Sequence, residues 1–191
     1  ERGNASPERS FHCSGHAVFY GNLFECWKEG GHGTMDMYQA IVHSCNVYYY
    51  NLGSIVGVDG LADLAMRLGL GERTGVPLPG ERAGTVPSTR WKRERFNEPW
   101  YAGETISVAI GQGALAVSPI EQAGMVAAVA NGGFRVRPYL VEEVRSPSGE
   151  VLERAVPGRL VFFYVPPIDF AAHVAGQESD DYTGAMRIAA R

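Results

Sequence analysis

Apolar side chains recur at three- and four-residue spacing from Met37 through Ile41, Cys45 and Tyr48 to Leu52. That period lines one face of a helix. Thr34 stands where an N-cap belongs, and Asp36 places a carboxylate in the first turn. A second stripe, Val58, Leu61, Ala62, Ala65 and Leu68, predicts another helix. Asp59 can cap its start, and Gly69 or Gly71 can end it. The clearest helix start is SPIEQAGMVAAVANGG. Ser118 serves as N-cap, Pro119 takes the first helical position, Glu121 completes a capping box, and Asn131-Gly132-Gly133 stops the helix.

Elsewhere the pattern is irregular. Residues 1–33, rich in Gly, Ser and His, predict loop and short turns. From Thr74 to Gly103 the chain is punctuated by Pro and Gly, with Trp91, Phe96, Trp100 and Tyr101 interleaved. A long ordered loop pinned by aromatics is expected there. YLVEEVRSPSGEVLERA holds two β-prone runs joined by Ser146-Pro147-Ser148-Gly149, a β-hairpin. No internal repeat is present. Helices first and strands after predict an α+β fold.

The 191 residues suffice for one domain or a large piece of one. A net charge of −4, with Lys28 and Lys92 the only lysines and no basic cluster, gives no reason to expect nucleic acid. No apolar run reaches the roughly 18 residues that span a bilayer. The polar start, ERGNASPERS, is not a signal peptide. Any export signal or membrane anchor is therefore expected outside the chain.

Candidate chemistry centres on HSCNVYYYNLG, His43 to Gly53. In a continuous helix, residues two apart point about 200° apart, so Ser44 and Asn46 could not serve one site. They converge only if one helix ends and another begins at Ser44-Cys45-Asn46, with Asn46 a candidate cap for the second. Otherwise they are ordinary helix-surface or capping residues, and spacing alone leaves both readings open. Tyr48, Tyr49 and Tyr50 read as core packing with partial exposure. Gly111-Gln112-Gly113 reads as a tight turn rather than a phosphate loop. Trp91, Trp100 and Tyr101 are expected to pin the long loop, and Asp59, Asp63 and Glu72 to be surface charges.

Cys13, Cys26, His32 and Cys45 follow the spacing C-x12-C-x5-H-x12-C. Three thiolates and an imidazole form a closed tetrahedral set of the kind structural zinc prefers. A Cys13–Cys26 disulfide with Cys45 as a small apolar residue is the alternative, and three free thiols another. The odd count leans towards metal. Zinc would tie the first 33 residues to the Ser-Cys-Asn turn. His12 and His16 read as surface residues.

The Ser-x-Asn triplet resembles the second motif of penicillin-recognising serine acyl-transferases, whose set is S-x-x-K, S-D/x-N and K-T-G. Two longer stretches are more specific: GHGTMDMYQAIVHSCNVYYYNLGSIVGVDGLADLAMRLGLGERTGVPLPGE and VPSTRWKRERFNEPWYAGETISVAIGQGALAVSPIEQAGMVAAVANGG. Both look like the transpeptidase domain of class B penicillin-binding proteins. The CW…GHG and PWY-GET segments are most similar to the elongation type, penicillin-binding protein 2. The resemblance covers roughly Phe11 to Val156.

This resemblance implies a β-lactamase/D,D-transpeptidase-like α+β domain that is incomplete, here a helical part plus a β-hairpin. It implies peptidoglycan D,D-transpeptidation by a parent protein. Its serine would attack the penultimate D-Ala carbonyl of a stem peptide, and a neighbouring amine would take the acyl group. Ser44 would relay a proton, and Asn46 would bind the substrate amide carbonyl and hold the nucleophile's lysine. β-Lactams would acylate the same nucleophile. The parent would be anchored in the bacterial inner membrane, face the periplasm, and work with the cell-elongation machinery. Some elongation-type relatives hold a metal where Cys13, Cys26, His32 and Cys45 lie.

Two of the family's three motifs are missing. No serine is followed three residues on by lysine, and no lysine precedes Thr-Gly. The nucleophile is expected upstream of Glu1 and K-T-G downstream, so the chain alone is expected to be inactive. Residues 1–159 are expected to form a partial transpeptidase domain. Residues 160–191 do not look like the family and are expected to be out of frame or foreign. The rival readings are a non-catalytic zinc-stapled or β-lactam-binding module, and a β-lactamase or carboxypeptidase on the same scaffold.

Overall fold

In a computed structural model of the chain, the described residues are 6–154 and 159–162. Nearly all of the segment 160–191, expected to be foreign, lies outside them. The chain divides into two compact units, Glu1–Leu64 with Val86–Leu115, and Ala65–Thr85 with Ala116–Arg191.

The first unit opens with strands where loop was expected: β1 (Phe11–Cys13), β2 (His16–Phe19), β3 (Asn22–Glu25) and β4 (Gly33–Met35). Each is too short to declare a period-two pattern. β1 finds its partner some twenty residues away, with Phe11 opposite Met35 and Cys13 opposite Gly33. β2 and β3 form a hairpin from His16 opposite Glu25 to Phe19 opposite Asn22. Tyr20 and Gly21 close it at φ 52° and 80°, as a two-residue turn that matches strand twist requires.

Helix α1 (Met37–Val42) starts at Asp36, not at Thr34, which β4 occupies. Asp36 Oδ1 accepts from Gln39 N at 2.8 Å, and Gln39 Oε1 accepts from Asp36 N at 3.2 Å. This is a reciprocal capping box. Helix α2 (Asn46–Val56) follows after a break, then α3 (Val58–Arg67). Gly69, at φ 92°, ends α3 as expected.

The expected long loop instead contains α4 (Thr89–Phe96) and the start of α5 (Ala102–Val108). The α4 sequence, TRWKRERF, is charged on most faces, so it showed no apolar stripe. Ser88 caps it by accepting from Trp91 N at 3.0 Å. The aromatics do pin this region: Trp91 meets Phe96 edge-on at 5.4 Å, and Trp100 Nε1 donates to Thr105 Oγ1 at 2.9 Å.

The core of this unit gathers Met35, Ala40, Val47, Tyr48, Tyr50 and Ile106 around the three cysteines. The hydroxyls of Tyr48 and Tyr50 donate to the Arg9 and Glu25 carbonyls at 3.3 and 3.0 Å. Both rings are thereby buried without an orphaned polar group. Tyr49 is half-buried.

In the second unit, α6 (Pro119–Ala130) has the predicted Ser118–Glu121 capping box and ends at Asn131. Strand β5 (Phe134–Val136) pairs with β8 (Arg159–Phe162). β6 (Glu143–Arg145) and β7 (Val151–Arg154) form the predicted hairpin, with Gly149 N donating to Ser146 O at 2.9 Å. Helices with small antiparallel pairs make the chain α+β. No helix among the described residues is long and apolar enough to cross a membrane.

Candidate functional site

The helical stripe from Met37 to Leu52 is interrupted where Ser44 and Asn46 required it. α1 closes with Ser44 N donating to Ile41 O at 3.2 Å and Cys45 N to Ala40 O at 3.0 Å. These bonds are those of a Schellman closure, and its left-handed residue is Ser44, at φ 50°. Glycine usually takes that place. A residue with a β-carbon is held there at a cost of about 1–2 kcal/mol. Ser44 is exposed, Cys45 is buried, and Asn46 is the half-buried first residue of α2. Cys45, not Asn46, is the N-cap. Asn46 instead has its amide beside the Tyr50 hydroxyl. Among the described residues no hydrogen bond joins the Ser44 and Asn46 side chains. The 200° separation of an unbroken helix no longer applies to them.

Cys45 turns inward to a cluster. The ligand atoms of Cys13, Cys26, His32 and Cys45 all lie within 4.8 Å of one another. Each arrives from a different element: the end of β1, the residue after β3, the loop before β4, and the start of α2. His32 Nδ1 stands 3.6 Å from Cys13 Sγ and 3.5 Å from Cys26 Sγ. A tetrahedral zinc with ordinary bond lengths sets a sulfur and a nitrogen ligand about 3.6 Å apart. The three thiols are buried and form no disulfide. His12 and His16, as expected, are exposed.

The electrostatics of the cluster are uneven. Burial pushes the Cys26 thiol up, but the N–H groups of Lys28, Val47 and Asn46 more than offset it, leaving the thiol below its ordinary range. Burial pushes the Cys45 thiol up to about 12, against one N–H from Tyr48. Burial, then the neighbouring charges of Lys28 and His43, lower His32 and favour its neutral form. The first amides of α2 thus point at sulfur, and the positive end of the helix favours thiolate there. His32 Nε2 is buried without a partner among the described residues. A closed Cys3His set with a neutral imidazole fits structural zinc.

Trp27, directly after Cys26, lies in the CW…GHG segment that carried the resemblance, but its sequence pointed to no role for its side chain. Its Nε1 donates to the carbonyls of both His43 and Ser44, at 3.1 and 2.9 Å. Its ring meets His32 edge-on at 5.2 Å.

The family described as penicillin binding protein transpeptidase domain matches residues 1–163. The chain belongs to the penicillin-binding protein transpeptidase family. It is of the penicillin-binding protein 2 type: it is 37% identical over 139 residues to the peptidoglycan D,D-transpeptidase MrdA of Acinetobacter baumannii, covering 73% of this chain and 21% of that protein. Penicillin-binding protein 2 of Pseudomonas aeruginosa superposes with a TM-score of 0.72 at 30% identity, covering 84% of this chain and 36% of that one. The same protein of Helicobacter pylori, in complex with MreC, gives 0.69 at 30%, covering 75% and 27%. The chain therefore spans about a fifth of the length of the curated relative. Its α+β arrangement is an incomplete penicillin-binding transpeptidase fold.

The sequence pointed to the Ser44–Asn46 break and to the four metal-type ligands. It did not show how the two meet. In this member of the penicillin-binding protein transpeptidase family Cys45 belongs to both, because it ends the break and enters the cluster.

Proposed function

We propose that the chain carries the second-motif part of a peptidoglycan D,D-transpeptidase domain, and that Cys13, Cys26, His32 and Cys45 hold a structural zinc beside that motif. The observation that carries this reading is Ser44. A hydroxyl-bearing residue occupies a left-handed position that favours glycine, next to a cysteine of the cluster. Backbone held in such a sparsely populated conformation clusters at active sites, and here it stands within the Ser-x-Asn triplet.

In this reading the parent protein supplies the nucleophilic serine with its lysine, and the K-T-G strand. Ser44 passes a proton towards the departing or incoming amine. Asn46 donates to the stem-peptide amide carbonyl and holds the nucleophile's lysine. Zinc, when bound, acts as a closed cross-link without an open position for chemistry. The chain's own residues then fix the turn: Cys45 from within, Cys26 and His32 from the facing loop. β-Lactams acylate the parent enzyme because they mimic the D-Ala-D-Ala end. The parent works at the outer face of the bacterial inner membrane, with elongation-machinery partners. The A. baumannii relative is named a peptidoglycan D,D-transpeptidase, and the H. pylori relative was solved with MreC, which supports this setting.

The test is acylation of the parent protein by a fluorescent penicillin, with S44A and N46A compared to wild type. Slowed labelling in both variants is expected. An unlabelled but folded wild-type protein overturns the enzyme reading in favour of a binding module. Rapid loss of bound label favours a β-lactamase or carboxypeptidase.

A further inference from the structure

We infer that Trp27 is a positioning residue for Ser44: its indole N–H holds the Ser44 backbone in the left-handed conformation and so aims the hydroxyl. This rests on the catalytic reading of Ser44.

The two oxygens that share the indole donor belong to consecutive peptide planes. Between those planes lie only the φ and ψ of Ser44 itself. A donor 3.1 Å from His43 O and 2.9 Å from Ser44 O holds both carbonyls turned to one side. Consecutive carbonyls share a side in helical backbone of either hand, and the Schellman closure selects the left. Extended backbone, the commoner state for serine outside a helix, would turn one oxygen away and break a bond. The indole therefore opposes the relaxation that the β-carbon of Ser44 would otherwise favour.

Among the described residues, no other backbone donor to these two carbonyls is seen outside the helices. The closure of α1 already uses the oxygens of Gln39, Ala40 and Ile41, taken by His43, Cys45 and Ser44 N–H. His43 O and Ser44 O lie just past it, with no further turn of helix to receive them. Trp27 is held in reach of them from two sides. Its main chain follows Cys26, whose N–H donates to Gly15 O at 2.7 Å. Its ring rests against His32. The cluster thus grips the turn twice: through the Cys45 sulfur, and through an indole carried by the residue after Cys26. Trp27 as a residue is 64% exposed, so it contributes little apolar burial, and its N–H makes the functional contact.

The experiment compares wild type, S44A and W27F in the parent protein. Phenylalanine keeps an aromatic ring at this position and removes the indole donor, and the stability and zinc readouts report the effect of the smaller ring. Acylation by a fluorescent penicillin is resolved into the dissociation constant of the initial complex and the rate constant of the covalent step. Thermal midpoint and zinc content are measured alongside. For W27F the covalent step is expected to slow about tenfold, the equivalent of one hydrogen bond. The initial dissociation constant stays within about twofold, because the missing donor touches no ligand. Zinc remains at the wild-type level. A W27F covalent step as fast as wild type, with S44A slow, overturns the role of Trp27. Loss of zinc and stability together with both kinetic constants also overturns it, because Trp27 would then be structural only. An S44A enzyme as fast as wild type overturns the catalytic reading of Ser44 first, and the aiming role with it.

Discussion

Gly53 of α2 lies directly against the side chain of Ala109 at the end of α5, so that a β-carbon on Gly53 would overlap the Ala109 methyl. This close approach lets the two helices meet over Tyr50 and Ile106. Glycine inside a helix normally costs about 0.5–1 kcal/mol relative to alanine. Here the packing requires it. G53A is expected to destabilise the domain by about 1–3 kcal/mol despite its better helix propensity. The midpoint of urea unfolding checks this, and a neutral or stabilising result would show that the helices separate at no cost.

Zinc removal is expected to loosen the first unit. Purified protein should carry one zinc per chain, and a chelator should lower its thermal midpoint. The drop should grow with chelator strength, because the metal binds the folded state selectively. C45S is expected to lose zinc, whereas H12A and H16A keep it. Absence of zinc together with an oxidised Cys13–Cys26 pair would replace the metal with a disulfide.

Glu121 makes stability depend on acid. Its carboxylate is buried and accepts from the N–H groups of Ser118, Gly71 and Gly84 at 2.6, 2.9 and 3.0 Å. Burial alone would raise it, but these donors and the Ser118 side chain prevail and hold it below its ordinary range. A folded pKa below the unfolded one, about 4.3, stabilises the fold above that pH. The contribution is lost as pH falls through the folded pKa. E121Q is expected to lower stability at neutral pH and to flatten its decline below about pH 4.3, as read from urea midpoints across the acid range.

Lys92 and Glu104 form an asymmetric pair. Lys92 Nζ lies 2.5 and 2.6 Å from the two carboxylate oxygens, and 4.3 Å from the centre of the Tyr101 ring. The lysine side chain is 8% exposed, that of Glu104 40%. Removing the carboxylate leaves a buried ammonium, whereas removing the ammonium leaves a carboxylate that water can reach. E104Q is therefore expected to cost more stability than K92M. Screening at the exposed partner holds the larger cost to about 1–2 kcal/mol. Equal losses in chemical denaturation would deny the asymmetry.

Local chemistry was legible in the sequence wherever one short segment decided the outcome. The capping box of α6, the stop at Gly69 and the β6–β7 hairpin depend on residues a few positions apart, and all three were read from the chain. So was the need for a break between His43 and Val47, since helical periodicity forbids two side chains two residues apart from facing one way. Tertiary structure decided what needed a distant partner. β1 is a strand because β4 pairs with it across twenty residues. α4 shows no apolar stripe, because its burial rests on Lys92 and the aromatics beyond it. Cys45, not Asn46, stands at the N-cap position of α2, where its sulfur meets Cys13, Cys26 and His32, residues far from it in the chain. Trp27 acquires its role only when folding brings its indole to two carbonyls sixteen and seventeen residues away. Spacing along a chain sets which directions side chains can take, and only long-range packing sets what they meet.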